Sequence, residues 1–438
     1  MAVTHRSLSV AKETTFGSPD TNGIPSVSGL SFISIPCERD PVVLTGEPVV
    51  SVRNDTRDGA YFNAPEPDTV FLNGARVRRR TGSISCRVDL TTIGATAANY
   101  DSNFLGHLLG AGFKTQAPSA NLKEDDVSAV VDVNTYTPTN APALADVGLL
   151  VGTLINNRAE YSAITDNDAS GNVKVSPAFS AGFTGTPTIR GLQTWYVPSR
   201  TNSGEFNHSL SFKIDGVNFQ QIAFGCVLES MNITLDNGRL MADLTYQAAY
   251  ITDNHGAAIG SVEPTYNSGS PAFFRGSYAV ISNGSPASQA NGSSAEAQGR
   301  IELNCEDFSL TVTNTLTPRS YSNNIISMSG MDISDVSVEL SLTLSTVNTT
   351  IENDYFDRTV RQVLIGTAPL DDGKGCAIML PAAVLTNDPS VYDVSGNDIV
   401  RQTLTYQQAR YAGDFTTESY EDNAGNSPFR IGLTVGNV

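Results

Sequence analysis

Apolar and polar positions alternate most strictly in two stretches. Over residues 83–91, Ile84, Cys86, Val88 and Leu90 fall on one side, and Ser83, Ser85, Arg87, Asp89 and Thr91 on the other. Over 337–345, Val338, Leu340, Leu342 and Leu344 oppose Ser337, Glu339, Ser341, Thr343 and Ser345. A period of two predicts strands with one buried and one wet face. The wet faces are small, hydroxyl-rich and sparsely charged. A helical stripe follows each strand: Phe104, Leu105, Leu108 and Leu109 in the first case, and Tyr355, Phe356, Val360, Val363 and Leu364 over 354–364 in the second. Gly110 and Gly366 read as stop signals, and both stripes are expected to face a core.

The order of features repeats. Gly225-Cys226 and Gly375-Cys376 each precede a copy of Leu-Thr-Tyr-Gln, at 244–247 and 404–407. Strand, helix, Gly-Cys and Leu-Thr-Tyr-Gln in the same order suggest an internal duplication, which equates Val88 with Leu340 and Tyr246 with Tyr406. The alternative is chance reuse of common β patterns. The division expected is an N-terminal arm (1–40), a first module (41–250), a Gly/Ser-rich linker (251–300), a second module (301–414) and a polar tail (415–438). Residues 114–205 have no counterpart in the second module and are expected to form a small β insert within the first. Turn chemistry marks these joints: Asn73-Gly74 and Asn237-Gly238 predict tight hairpins, and residues 268–271 and 282–294 read as linker. Residues 53–80 form a long excursion.

Composition narrows the function. The chain has 438 residues, 40% hydrophobic and 16% charged, with 45 acidic against 27 basic residues, a net charge of −18. Such a balance disfavours tight DNA binding, which requires neutralising phosphates. It suits a surface that nucleic acid slides past, although simple solubility explains it as well. The basic run Arg76, Arg78, Arg79 and Arg80 beside Asn73-Gly74 stands out; it is either a solvated strand face or a contact for an acidic patch on another subunit. The five cysteines and four histidines have no ligand spacing, so neither a disulfide framework nor a metal site is expected. The turn at 166–171 resembles the start of a calcium loop, but Pro177 stands where the bidentate Glu belongs. No GxSxG, HExxH or GxGxxG occurs, so neither a catalytic site nor a cofactor is expected. No apolar run spans a bilayer and no secretory signal is read, so a cytoplasmic protein without a membrane partner is expected.

Ala11-Lys12-Glu13-Thr14-Thr15-Phe16-Gly17 leads into strands and a long hairpin excursion, then an alternating strand, a short helix and a final Gly-Cys hairpin. In this the chain resembles the tail tube (major tail) proteins of long-tailed bacteriophages, specifically the larger kind with two fused modules. The resemblance implies a mainly β fold: two tandem β-sandwich or half-barrel modules, each with a short flanking helix, plus the small β insert in the first. It implies self-assembly into rings, three chains making a pseudo-sixfold ring, stacked into a tube that passes DNA into the host without tight binding. Arg87, Asp89, Glu339 and Ser341 would then lie on the lumen side. The 53–80 loop, with Arg76, Arg78, Arg79 and Arg80, would touch a neighbouring subunit or ring. Tape-measure, terminator and tail-tip proteins would be partners, the virion tail the location, the host cytoplasm the place of assembly, and outer decoration the role of the insert. Alternatives are another tail structural protein, such as a tail-tip ring or decoration protein, and a receptor- or carbohydrate-binding β-sandwich. The single Trp195, with no aromatic cluster around it in sequence, speaks against the last.

Overall fold

The structure, a computed structural model, describes residues 7–20, 25–37, 47–48, 80–90, 99–140, 146–167, 171–197, 206–216, 219–255, 278–283, 299–320, 328–367, 375–390, 392–395, 399–409 and 424–435. Strands β1 (Ser7–Lys12), β2 (Ile33–Ser34), β3 (Glu47–Pro48) and β4 (Arg80–Asp89) precede helix α1 (Phe104–Gly110). Then come β5 (Lys114–Gln116), β6 (Asp125–Asp132), β7 (Thr135–Pro138), β8 (Leu150–Ile155), β9 (Arg158–Asn167), β10 (Val173–Ser176) and β11 (Thr188–Tyr196). The first half closes with β12 (Leu210–Gly216), β13 (Phe219–Asp236), β14 (Arg239–Ala248) and β15 (Tyr250–His255). The second half holds β16 (Tyr278–Asn283), β17 (Ile301–Leu303), β18 (Cys305–Ser320), β19 (Met328–Leu344), α2 (Glu352–Asp357), β20 (Val360–Gly366), β21 (Cys376–Leu385), β22 (Tyr392–Ser395), β23 (Ile399–Gln408) and β24 (Arg430–Thr434). The protein is mainly β, and the described pairings are antiparallel.

The two halves share one strand order. One sheet runs β2-β1-β12-β13-β15 in the first half and β17-β16-β20-β21-β24 in the second. A second sheet runs β3-β4-β14-β13 and, correspondingly, β18-β19-β23-β22. Strand β13 serves both sheets by bending at Gly225, whose φ of +61° is left-handed. A Cβ there would meet Ala249 and the Phe16 ring at 2.9 Å, so glycine is needed twice over. Apolar side chains of the two sheets face each other in one core that runs through both halves, from Leu8 and Val88 to Leu404 and Leu433.

The register revises the matching read from the sequence. Tyr246 lies opposite Ile84 on one side and Leu228 on the other; Tyr406 lies opposite Leu340 and Leu385. Leu340 therefore corresponds to Ile84, and Val88 to Leu344. The Gly-Cys pairs do not correspond. Val227 faces Gln247 as Val384 faces Gln407, which aligns Cys226 with Ala383, whereas Cys376 opens β21 opposite Leu433 of β24.

Other readings change as well. Within the supposed arm, 7–12 is a sheet strand that buries Leu8 and Val10; within the linker, 278–283 lies between β17 and β20; within the tail, 430–434 pairs with both β11 and β21. The helix expected over 354–364 stops at Asp357, because Arg358 turns left-handed at φ 51°, and the β-branched run from Val360 becomes β20. Phe356 and Val360, expected in the core, are 70% and 38% exposed.

The insert closes on itself. Pairings run β6-β11-β8-β9-β10-β7 and back to β6, a six-stranded barrel. It has its own core, including Tyr136, Phe179 and Phe183. It is seated on the second half of the chain: Tyr161, Ala163 and Leu192 pack on Val280, Leu364 and Met379. The Tyr161 hydroxyl donates to the Thr367 carbonyl at 2.5 Å, and Ser176 Oγ to Gln362 Oε1 at 2.9 Å. Arg158 reaches Glu302 at 2.7 Å, and Arg300 reaches the buried Glu160 at 3.2 Å.

Candidate functional site: a hydroxyl-rich face shared by both halves

Strand β13 pairs on its far edge with β18, from Ser230 opposite Thr313 to Thr234 opposite Ser309. This joins the two four-stranded units into one sheet, β3-β4-β14-β13-β18-β19-β23-β22. The face turned away from the core is polar across the junction. One row reads Ser85, Thr245, Ser230, Thr313 and Ser337; the next reads Arg87, Asp243, Asn232, Thr311, Glu339 and Gln407. A third carries Thr234, Ser309, Ser341 and Thr405. Ser85 and Thr245 share a hydrogen bond of 2.9 Å. The period of two produces this face: buried Leu244, Leu310, Val338, Leu342 and Leu404 each lie between Ser, Thr or charged residues.

Arg87, Asp89, Glu339 and Ser341, singled out from the sequence, all lie on this one face, and the charges near β4 are paired. Arg87 reaches Asp236 at 3.2 Å and Asp243 at 3.9 Å, and Asp89 is paired with Arg239. Asp236 and Arg239 were missed, although they flank the Asn237-Gly238 turn and a tight hairpin must set them opposite each other. The Thr-rich wet edge of β18 was missed too, despite its alternation with Phe308, Leu310 and Val312. Met241 breaks the pattern: it shares the face between Asp89 and Thr234, yet is fully buried. Arg76, Arg78 and Arg79 lie outside the described residues; Arg80 opens β4 opposite Pro48, and its side chain is outside them too.

Behind the sheet, α1 is held from both halves. Asn103 Oδ1 caps it by accepting from Leu105 N at 2.8 Å, and the Tyr246 hydroxyl donates to its Leu108 carbonyl at 3.0 Å. Tyr100, just before the helix, donates through its hydroxyl to the Thr434 carbonyl of β24 at 3.1 Å; Phe113, just after it, stacks on Phe429 at 5.7 Å. Every residue of α1 is buried, whereas in α2 only Asp354 is. His107 of α1 and His208 meet edge to face with ring centroids 6.2 Å apart, and burial pulls the pKa of each down to about 4. In the segment that carries the family resemblance, Glu13 accepts from Gly17 N at 2.8 Å, Ser209 Oγ at 2.6 Å, Ser211 Oγ at 2.6 Å and Gly225 N at 2.9 Å. It thereby ties the segment after β1 to β12 and β13.

Among the described residues no group of three or more His, Cys, Asp or Glu could hold a metal ion, and no helix is long and apolar enough to cross a membrane. The architecture is thus a repeated β fold with one long, hydroxyl-rich polar face whose charges near β4 are paired. The chain belongs to the phage tail tube protein family, whose sequence model matches residues 5–407. It is thus a structural component of a virion tail. No curated protein matches it. One solved structure, that of K. pneumonia MrkH in its apo state, is 8% identical, with 59% of this chain and 78% of that one covered; its TM-score of 0.13 carries no argument about fold.

Proposed function

We propose that this chain self-assembles into stacked rings that form the tail tube, with the hydroxyl-rich face lining a channel for DNA. The observation that carries this reading is the β13–β18 junction, where two four-stranded units of the same strand order join edge to edge. The same join between copies would put β22 of one chain beside β3 of the next. Repetition removes the exposed edges, which otherwise invite uncontrolled pairing. With the six units per ring that the family resemblance implies, two units per chain would give a closed ring of three chains.

The face suits passage. A duplex carries one negative charge per roughly 1.7 Å of axis, so a basic lining would hold it. Here hydroxyls dominate, Arg87 is neutralised by Asp236 and Asp243, Asp89 is matched by Arg239, and Glu339 adds negative charge. Arg76, Arg78, Arg79 and Arg80 would contact acidic groups of a neighbouring subunit or ring. The barrel would decorate the outside, being seated on the sheet that lies across the core from the polar face. Tape-measure, terminator and tail-tip proteins would be further partners, with assembly in the host cytoplasm. Native mass measurement and negative-stain images of the purified protein test this reading. Rings of three chains and tubes stacked from them are expected; rings of six chains, or a stable monomer in the assembled tail, would overturn it.

A further inference from the structure

Helices α1 and α2 hold corresponding places in the two halves but are covered differently. Strand β24 and the residue before it hold the chain on either side of α1: Thr434 accepts from Tyr100, just before the helix, and Phe429 meets Phe113, just after it. The first half's counterpart of β24 is β15, by the matched order β13-β15 and β21-β24. Among the described residues nothing equivalent reaches α2. Its inner side is fixed by the Asp354–Arg361 pair at 2.7 and 2.8 Å and by Ile351, which is fully buried. Its outer side leaves Phe356 70% exposed, with Val360 38% exposed just beyond it. Strand β15 also has an unused side: it pairs with β13, and among the described residues no strand pairs with its other edge, whereas β24 has β11 there.

We propose that Phe356 of α2, together with Val360 at the start of β20, packs against the β15 side of the next copy, repeating between chains the hold that β24 and Phe429 have on the segments flanking α1 within one. The occupant is a second copy of this chain, because the matching cover already exists in it once. A single exposed aromatic is ordinary on a protein surface. What gives this one a partner is the correspondence between β15 and β24, the strand that holds the segment leading into α1. The direction is consistent with the sheet: α1 is covered by the half that continues its sheet through β13–β18, and α2 would be covered by the copy that continues its sheet beyond β22.

The inference rests on the ring reading, and the test separates the two. Hydroxyl-radical footprinting compares Phe356 in free subunits and in assembled tubes. Burial from 70% exposed to core-like values predicts roughly a tenfold drop in oxidation on assembly. Photo-crosslinking from Phe356→p-benzoylphenylalanine then maps the partner, and adducts within residues 250–255 of another copy are expected. Absence of rings from the wild-type protein would defeat the ring reading, and the contact with it. Rings in which Phe356 is oxidised as fast as in free subunits would overturn the contact and leave the ring intact. Protection with adducts only elsewhere would overturn β15 as its partner.

Discussion

Glu13 is a carboxylate buried among four donors, and its role is visible only in three dimensions. Ser209, Ser211 and Gly225 are about two hundred residues away in the chain, so no local pattern marks them as its partners. Glu13→Ala would leave those buried donors unpaired and should cost about 3 kcal/mol, read as a lower urea midpoint with an unchanged slope. Burial outweighs the four hydrogen bonds and pushes the Glu13 carboxyl above its usual range. Its contribution is therefore full below the ordinary carboxylate pKa and declines as pH rises through the raised value. His107 and His208 act in the opposite sense. Burial, the larger cause for each, lowers them from 6.5 to about 4, so between these values the unfolded chain binds protons that the native one does not. Their contribution is full above 6.5 and is lost as pH falls towards 4. Urea titrations should show stability falling across that window, and falling less steeply in a His107→Gln/His208→Gln double variant. Equal slopes would remove the pair as the cause.

At the scale of elements, alternation in the sequence found the strands that matter. The faces of β4 and β19 follow directly from Ile84, Cys86 and Val88 and from Val338, Leu340 and Leu342, and with them the common face of Arg87, Asp89, Glu339 and Ser341. Alternation does not set register between strands, because a slip of two or four residues preserves the face. That is why Val88 was matched with Leu340, when the pairing to Tyr246 and Tyr406 selects Ile84. Strands β1, β16 and β24 hold five or six residues each, in polar surroundings, and only pairing with distant strands reveals them. The end of α2 was misread because Val360, Val363 and Leu364 fit a helical stripe, while the left-handed Arg358 and the Asp354–Arg361 pair, neither visible as periodicity, stop it. Closure of the insert into a barrel likewise depends on β6 and β8 both meeting β11. The seat of that barrel is open to a local test. A Cβ at Gly366 would lie 2.0 Å from the Tyr161 ring, so Gly366→Ala must displace it. Hydrogen exchange should quicken in β9 and β20 while β4, β13 and β14 keep their protection. Uniform loosening would mean that the barrel and the second half do not meet as an independent seam.

For the whole molecule, the decisive feature is that one chain already contains a junction between two like units. The net charge of −18 was legible in the composition, and the hydroxyl-rich faces of β4 and β19 in the alternation of the sequence. The continuity of those faces over β4, β14, β13, β18, β19 and β23 was not, since it depends on the β13–β18 pairing between halves. A channel lined by that face makes a demand on the assembled particle that no property of the isolated chain can meet. A cryo-EM density map of the tube, resolved well enough to place side chains, tests it most directly. The account predicts three chains per ring, β22 of each beside β3 of the next, and Ser230, Thr311, Ser341 and Glu339 facing the lumen. A ring of six chains, or a map in which these residues face outward and the barrel inward, would contradict it.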